Sequence, residues 1–460
     1  MPGSLIFRTP RKTFSLVSDV GRMRDKIRRR SLLRICAVAG GVGVAGCVEE
    51  GETPEDDFDE DDDTEPTDDE QTDGEPPEDD DEDDEEEFDA GEPYEDEIEV
   101  SATDWTTFAY DRANRGLNPA TESPSSFVEV WDEPFETEFQ TVSSPTVVDG
   151  VVYFGDGFQL DDVGRLYAVD AETGESAWDT GPYDVGANVR TSPAVTASTV
   201  YFTSEEPALH ALNVSTGEER WKTELEGRRG RNSPVVVDDM VYAASDRSVH
   251  AVGAYSGMVK WESTTGGRVQ TTPAYDDGRL FVGGTDDVLH VLDAESGDTL
   301  WEYETGGTVS SSPTVAGGVV YFGSWDNDVY ALDAETGDEI WEEPFETNGV
   351  VESSPAVADG VVYIGSDDDN VYALEAGTGD ELWRFETGDR VRTAVAVTDT
   401  YVYTASDDGY VYALDRDGGA TVAERDVHDL LEVTTRTITA AVVSDGTVYV
   451  GAGFGLAAFD

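Results

Sequence analysis

The sequence predicts an all-β protein, an eight-bladed β-propeller of four-stranded antiparallel blades closed by N- and C-terminal strands in one blade. Three observations carry that prediction. A unit of about 40 residues repeats, each copy reads as four short strands, and the last copy stops one strand short while a spare strand precedes the first. The clearest copy runs from Ser311 to Trp341. Pro313-Thr-Val315 is a short apolar run stopped by Gly317-Gly318, and Val319-Val-Tyr-Phe322 alternates β-branched and aromatic residues. Val329-Tyr-Ala-Leu332 is a third strand, closed by Asp333-Ala-Glu-Thr-Gly337, and Ile340-Trp341 opens a fourth. Gly, Asp and Asn fill the turns. Such a sheet is apolar on both faces and needs neighbours.

The other copies supply them. The closing Trp recurs as Trp178, Trp221, Trp261, Trp301, Trp341 and Trp383, spaced about 40–43 residues apart. The opening Ser/Thr-Pro recurs at Pro145, Pro193, Pro234, Pro273, Pro313 and Pro355. A seventh copy begins at Arg392, with Val395 in the proline position, and an eighth, Ala440 to Asp460, holds three strands. Val128-Glu-Val-Trp131 is the expected fourth strand of the eighth blade. Joining the termini there leaves the ring without an open edge.

Ahead of the repeats the composition changes twice. Residues 1–22 show no regular pattern, and Met23 begins a better export signal. Arg28-Arg-Arg-Ser-Leu-Leu33 leads into an apolar run from Ile35 to Gly46, too short to span a bilayer, and then Cys47. Arg29 and Arg30 resemble a twin-arginine signal, and Val44-Ala45-Gly46-Cys47 resembles a lipobox whose cysteine is lipidated. Residues 1–47 are therefore read as a signal region, with a lipid anchor at the outer face of the cytoplasmic membrane. Residues 48–100 are dominated by Asp and Glu and read as a solvated, disordered tether, up to about 170 Å long when fully stretched. The propeller is placed at 101–460. Its only cysteines upstream are Cys36 and Cys47, so the exported domain has no disulfide.

Charge narrows the function. Asp and Glu number 101 against 29 Lys and Arg, a net charge of −72, and only Lys222 and Lys260 lie in the repeats. That balance suits multimolar salt, where screening removes the repulsion, and it disfavours nucleic acid or anionic lipid as a partner.

Tyr330-Ala-Leu-Asp-Ala-Glu-Thr-Gly-Asp-Glu-Ile-Trp341, nearly repeated in Tyr167–Trp178 and Tyr372–Trp383, resembles the tryptophan-docking motif of the pyrroloquinoline-quinone (PQQ)-like propellers. The segment Asp104-Trp-Thr-Thr-Phe-Ala-Tyr-Asp-Arg-Ala-Asn-Arg-Gly-Leu-Asn-Pro119 resembles the opening before such propellers. With its signal, lipobox and acidity the chain resembles a haloarchaeal surface lipoprotein. The resemblance implies that Ala331, Gly337 and Trp341, and their repeats, lock adjacent blades. It implies either a protein-binding scaffold, as in the envelope-assembly lipoproteins of Gram-negative bacteria, or a PQQ-dependent dehydrogenase holding the quinone with Ca²⁺. Quinoproteins of the family carry an adjacent-cysteine disulfide that this chain lacks, and no irregular insertion that would carry Ca²⁺ ligands is apparent in a blade. No cofactor is expected on the scaffold reading.

Three constellations remain. His210, His250 and His290 occupy the position held by Tyr330 and Tyr372, on three separate sheets, too far apart to share a metal. Asp286-Asp287, Asp326-Asn-Asp328, Asp367-Asp-Asp-Asn370 and Asp407-Asp408 suit tight turns between the second and third strands. Three residues ahead of the proline position stand Arg190, Arg231, Arg392 and Arg436, against Val142, Gln270, Ser310 and Glu352 in the other blades. These arginines form a half-ring at the channel mouth, suited to an anionic ligand or partner loop, or to neutralising the nearby turn aspartates. No nucleophile–base pair stands out, and no catalytic residue is assigned. The expected function is a non-catalytic scaffold with a protein partner at the cell surface.

Overall fold

The computed structural model describes residues 88–460 apart from 96, 103, 158–162, 228–231 and 432–437. These belong to one compact unit, Asp84–Asp460. Arg29, Arg30, Cys47, Arg231 and Arg436 lie outside the described residues.

Eight antiparallel sheets follow one another along the chain. Blade 5 shows the pattern, with strands A to D at Thr314–Ala316, Val319–Gly323, Asp328–Asp333 and Phe345–Glu346. The A strands of blades 1 to 4 begin at residues 146, 194, 235 and 274, and those of blades 6 and 7 at 356 and 396. Blade 8 takes Val442–Ser444, Thr447–Ala452 and Gly455–Phe459 from the C-terminus and Phe135–Glu136 from the far end of the repeats. Val130 N donates to Ala458 O at 2.9 Å and Asp460 N to Val128 O at 2.9 Å, so the closing strand begins where the sequence places it. The only described helix is one turn, Val427–Leu430.

Apolar alternation on the B and C strands fills the space between sheets. Val320, Phe322, Val329 and Leu332 of blade 5 are all buried. The blades are then locked at their outer ends. Trp341 Nε1 donates to Ala376 O of blade 6 at 2.9 Å, and Tyr321 OH reaches the same carbonyl at 3.2 Å. Val214 O, Ala254 O and Ala294 O likewise each take a Trp and a Tyr from the preceding blade. Gly379 faces the Trp341 ring with φ +78°, and a Cβ there would come within 2.8 Å of it. Only glycine meets both demands.

Trp178, Trp221, Trp261 and Trp383 sit in the same way, Trp383 donating to Arg416 O at 2.8 Å. Trp301 packs on Gly337, but its Nε1 makes no hydrogen bond. A seventh, Trp131, donates to Ala171 O at 2.9 Å and docks blade 8 on blade 1. Blade 7 has Ala423 at this position, paired with Ala413. The reason is topological. A docking Trp needs the C–D turn of the next blade, and blade 8 has none because its fourth strand arrives from elsewhere in the chain.

Two N-terminal segments add to the ring. Acidic composition predicts a solvated tether through residue 100, yet residues 88–98 pack on blades 2 and 3. Ala90 O accepts Ser256 N at 2.8 Å, Tyr94 OH donates to Tyr255 O at 2.9 Å, and Ile98 N donates to Ala197 O at 2.6 Å. The apolar residues Phe88, Ala90 and Ile98 give the segment something to bury. The second segment, from Trp105 to Asn118, runs along the inner strands. Thr106 O, Arg112 O, Ala113 O, Arg115 O and Gly116 O accept from Val195, Tyr275, Val315, Val357 and Val397 N, one in each of blades 2, 4, 5, 6 and 7. Asn114 Nδ2 adds Pro273 O at 3.2 Å and Pro313 O at 3.1 Å.

Candidate functional site

The inner strands begin at the end of the ring that carries the B–C turns, so the residues ahead of each proline position surround the channel mouth. A funnel of about 250 Å³ opens there, lined by Arg190, Gln270, Ser310, Glu352 and Arg392, with Phe108 from the inner segment reaching into it. Just inside, hydroxyls tie blade to blade. Ser192 N donates to Ser233 Oγ at 2.9 Å, Thr272 N to Ser312 Oγ at 3.0 Å, and Ser312 N to Ser354 Oγ at 3.0 Å. This accounts for the Ser/Thr before each proline: the hydroxyl satisfies a buried N–H of its neighbour. Ala394 and Ala440 stand at that position in blades 7 and 8 and cannot do so.

A second ring lies on the rim. Glu205, Thr285, Trp325, Asp367 and Asp407 each follow a B strand, and each N–H donates at 2.9 Å to a carbonyl two residues before the funnel position of its own blade. They are therefore structurally equivalent. Funnel and rim positions talk to each other. Arg392 forks onto Asp367, with Nε–Oδ1 2.7 Å and Nη2–Oδ2 2.6 Å, and its Nε is 3.5 Å from Glu352 Oε2. Arg190 Nε lies 3.1 Å from Glu205 Oε1. The Asp367 fork holds the Arg392 guanidinium well above its usual pKa. Burial pushes the Glu352 carboxyl up, Arg392 pulls it back, and Asp367 and Asp407 push it up again. Asp407 is raised in the same way, chiefly by burial. In blade 5 the same two positions hold Trp325 and Ser310, joined by Nε1–Oγ at 2.7 Å.

Of the four arginines expected as an anion-binding half-ring, the described two are thus engaged by carboxylates of the ring, and in blade 8 the funnel position falls on Ile438, two residues beyond the expected Arg436. Neutralisation of turn acids, the other role open to them, is the geometry seen.

The aspartate turns are built as their composition suggests. Asp326 caps its own turn through Oδ1 to Asp328 N at 3.1 Å, while Oδ2 accepts Tyr330 OH and Gly306 N, both at 2.7 Å. Asp368 and Asp408 repeat this with Tyr372 and Tyr412. Asn327, Asp369 and Asp287 supply the left-handed residue that follows.

The three histidines stand in three blades, in the tyrosine position. His290 copies the tyrosine, with Nε2 2.9 Å from Asp286 Oδ2 and Nδ1 2.8 Å from Glu302 Oε1. His210 stacks on Phe202 at 4.7 Å, and burial takes its pKa down to about 3. His250 is buried too, and its pKa is lowered for the same reason. Among the described residues no three His, Cys, Asp or Glu side chains are grouped to hold a metal ion.

Two connections are longer than the compact-blade reading allows. The B–C connection of blade 1 spans residues 158–164, against 324–327 in blade 5, and residues 427–437 follow the last strand of blade 7. Blade 1 therefore has a longer B–C connection than the other blades, and residues 158–162 of it lie outside the described residues. Trp325 and the 88–98 segment were also missed. The one signal for Trp325 is a large aromatic in a turn where other blades have Thr, Asp or Glu.

The fold has wide company. The structure of BamB from Moraxella catarrhalis is similar with a TM-score of 0.54 at 20% identity, covering 71% of this chain and 91% of that one. A quinohemoprotein alcohol dehydrogenase from Comamonas testosteroni gives 0.63 at 16%, covering 77% of each chain. The computationally designed Ika8 protein gives 0.59 at 18%, covering 72% of this chain and 99% of that one. At these identities the likeness shows the fold alone. No curated protein matches the sequence. The family described as outer membrane protein assembly factor BamB matches residues 162–268, 245–349 and 325–460, and the chain belongs to that family of PQQ-like repeat propellers.

Proposed function

We propose that the chain is a non-catalytic, lipid-anchored propeller at the cell surface that binds a protein or small ligand through its channel mouth. The observation that carries this reading is the funnel, reached from below by Phe108 and ringed by positions where blades differ from one another. The docking Trp recurs in seven of the eight blades, whereas the funnel positions hold Arg190, Gln270, Ser310, Glu352 and Arg392 in turn. Arg29-Arg30, the Val44–Cys47 lipobox and the acidic stretch after it support export, lipidation and a place on the outer face of the cytoplasmic membrane.

The competing reading is a PQQ-dependent dehydrogenase, since quinohemoprotein structures share the fold. The described residues do not fit that cofactor. Arg190 and Arg392, which would face the quinone carboxylates, are held by Glu205 and Asp367, and no donor set for Ca²⁺ is grouped among the described side chains.

An absorption spectrum and native mass of the mature chain, purified in high salt from its own host, test the choice. Polypeptide plus lipid without a quinone band is expected; quinone bound with calcium overturns the scaffold. Cys47→Ser is expected to move the chain from the membrane fraction to the medium, and retention on the membrane counts against the anchor.

A further inference from the structure

Trp325 is the exception on the rim. Its equivalents in blades 2, 4, 6 and 7 are Glu205, Thr285, Asp367 and Asp407. Trp325 keeps 48% of its surface in solvent, yet it is not loose, because Nε1 donates to Ser310 Oγ at 2.7 Å. A large aromatic left in water and pinned by its polar edge presents a preorganised face.

Its surroundings set the chemistry. Funnel positions 270 and 310 are Gln and Ser, and rim position 285 is Thr, so hydroxyl and amide groups stand here beside the turn carboxylates Asp286 and Asp326. The exposed Gln270 side chain makes no hydrogen bond among the described residues. Of the ion pairs at the mouth, Arg190–Glu205 and Arg392–Asp367 lie on blades 2, 6 and 7, while Arg268–Asp246, at 3.2 Å, bridges blades 3 and 4. Chain neighbours of Trp325 are Ser324 and Asp326, with no contiguous apolar surface of the kind that forms the core of a protein interface. The funnel is smaller than a drug-sized pocket. An exposed aromatic face tied to the funnel residue Ser310, with hydroxyl, amide and carboxylate groups around it, matches a pyranose ring, which offers an apolar C–H face and a rim of hydroxyls.

We propose that Trp325, Ser310 and Gln270 form a subsite for a neutral saccharide at the channel mouth. It rests on the reading of the mouth as the binding face and names the ligand class for it. The sugar stacks on the exposed indole; Gln270 and the outer hydroxyls fix its orientation.

Saturation-transfer NMR on the full chain with glucose, galactose and N-acetylglucosamine tests this, each titrated to roughly 50 mM because single-ring affinities are weak. Transfer to the C–H protons of at least one sugar is expected in the wild type. Trp325→Ala should weaken it by roughly tenfold or more, as for an anchoring aromatic. Ser310→Ala, which frees the indole, should weaken it less, and Arg416→Gln, on the opposite face, should leave it unchanged. No transfer to any of the three sugars, or transfer indifferent to Trp325→Ala, overturns the subsite. Cross-linking from a photoreactive group at position 325 to a protein, with no sugar binding, overturns the saccharide while leaving the mouth as binding face. Failure of both removes the mouth altogether.

Discussion

The Arg392 guanidinium, carried by blade 7, forks onto the Asp367 carboxylate in the B–C turn of blade 6. One ion pair thus spans the seam between two blades at the channel mouth. It also neutralises a charge that stands beside Glu352 and Asp407, both of which burial already makes hard to ionise.

Removing one partner should therefore cost more than removing both. Arg392→Gln leaves Asp367 and Glu352 facing each other, and the expected loss is about 1 kcal/mol, since the guanidinium is 36% exposed and screened. Adding Asp367→Asn should recover most of it. Urea unfolding of the two variants, at low and multimolar salt, checks the order. If Arg392→Gln matches the wild type in stability at low salt, the fork has no structural value and the arginine is kept for a ligand.

How much of this was legible follows from what a repeat can encode. The Trp–Gly lock and the strand exchange in blade 8 were readable because they depend on position within the unit: Trp341 must meet Gly379, and Phe459 must find Glu129. The pairing of Arg392 was not, because the repeat says where the arginine stands and not which neighbouring turn it reaches. Composition concealed the 88–98 segment, where Phe88, Tyr94 and Ile98 are scattered among acidic residues. Trp131 was read as strand and not as lock, since it comes before the first full unit and lacks the preceding Thr-Gly turn.

The docking tryptophans are not equivalent, although the sequence repeats them. Trp341 Nε1 has Ala376 O at 2.9 Å, whereas the Nε1 of Trp301 has no partner. Phenylalanine keeps much of the ring and loses the N–H. Trp341→Phe should destabilise by about 1–2 kcal/mol, while Trp301→Phe should cost distinctly less, having no hydrogen bond to lose. Equal losses on denaturant titration would refute the distinction.

His210 gives the ring a predictable acid sensitivity. Burial lowers its pKa to about 3, while an unfolded histidine titrates near 6.5. Between those values the unfolded chain binds the proton more strongly, so this contribution is complete above pH 6.5 and declines as the pH falls toward 3. His210→Phe fits beside Phe202 and carries no proton. Relative to wild type, the variant should gain up to about 1.4 kcal/mol per pH unit on acidification below 6.5. Parallel stability curves for the two proteins from pH 7 to pH 4 would contradict the assignment.

The 88–98 segment sits where blade 3 breaks the repeat. The C–D turns of blades 1, 4 and 5 begin Asp-Ala-Glu, at Asp170, Asp293 and Asp333, and those of blades 2, 6 and 7 begin with Asn213, Glu375 and Asp415, but blade 3 has Gly253-Ala-Tyr255. Ala90 Cα would lie 2.9 Å from a Cβ at Gly253, so the usual aspartate has no room while the segment is docked. Tyr255 stacks edge-on against Tyr94 at 5.8 Å, and Arg220 of blade 2 lies 3.5 Å over the Tyr94 ring. These departures make a seat for the chain's own N-terminal side. Gly253→Asp restores the repeat and should expel the segment without unfolding the ring, because Asp293 and Asp333 occupy the same turn elsewhere. The expected result is faster hydrogen exchange at Tyr255 and Ser256, whose N–H groups donate to Ala90 O, together with cleavage near Tyr94 by a tyrosine-directed protease. Exchange confined to those amides marks release of the segment. Exchange spreading through the B and C strands of blade 3 would mean that it also holds the blade together.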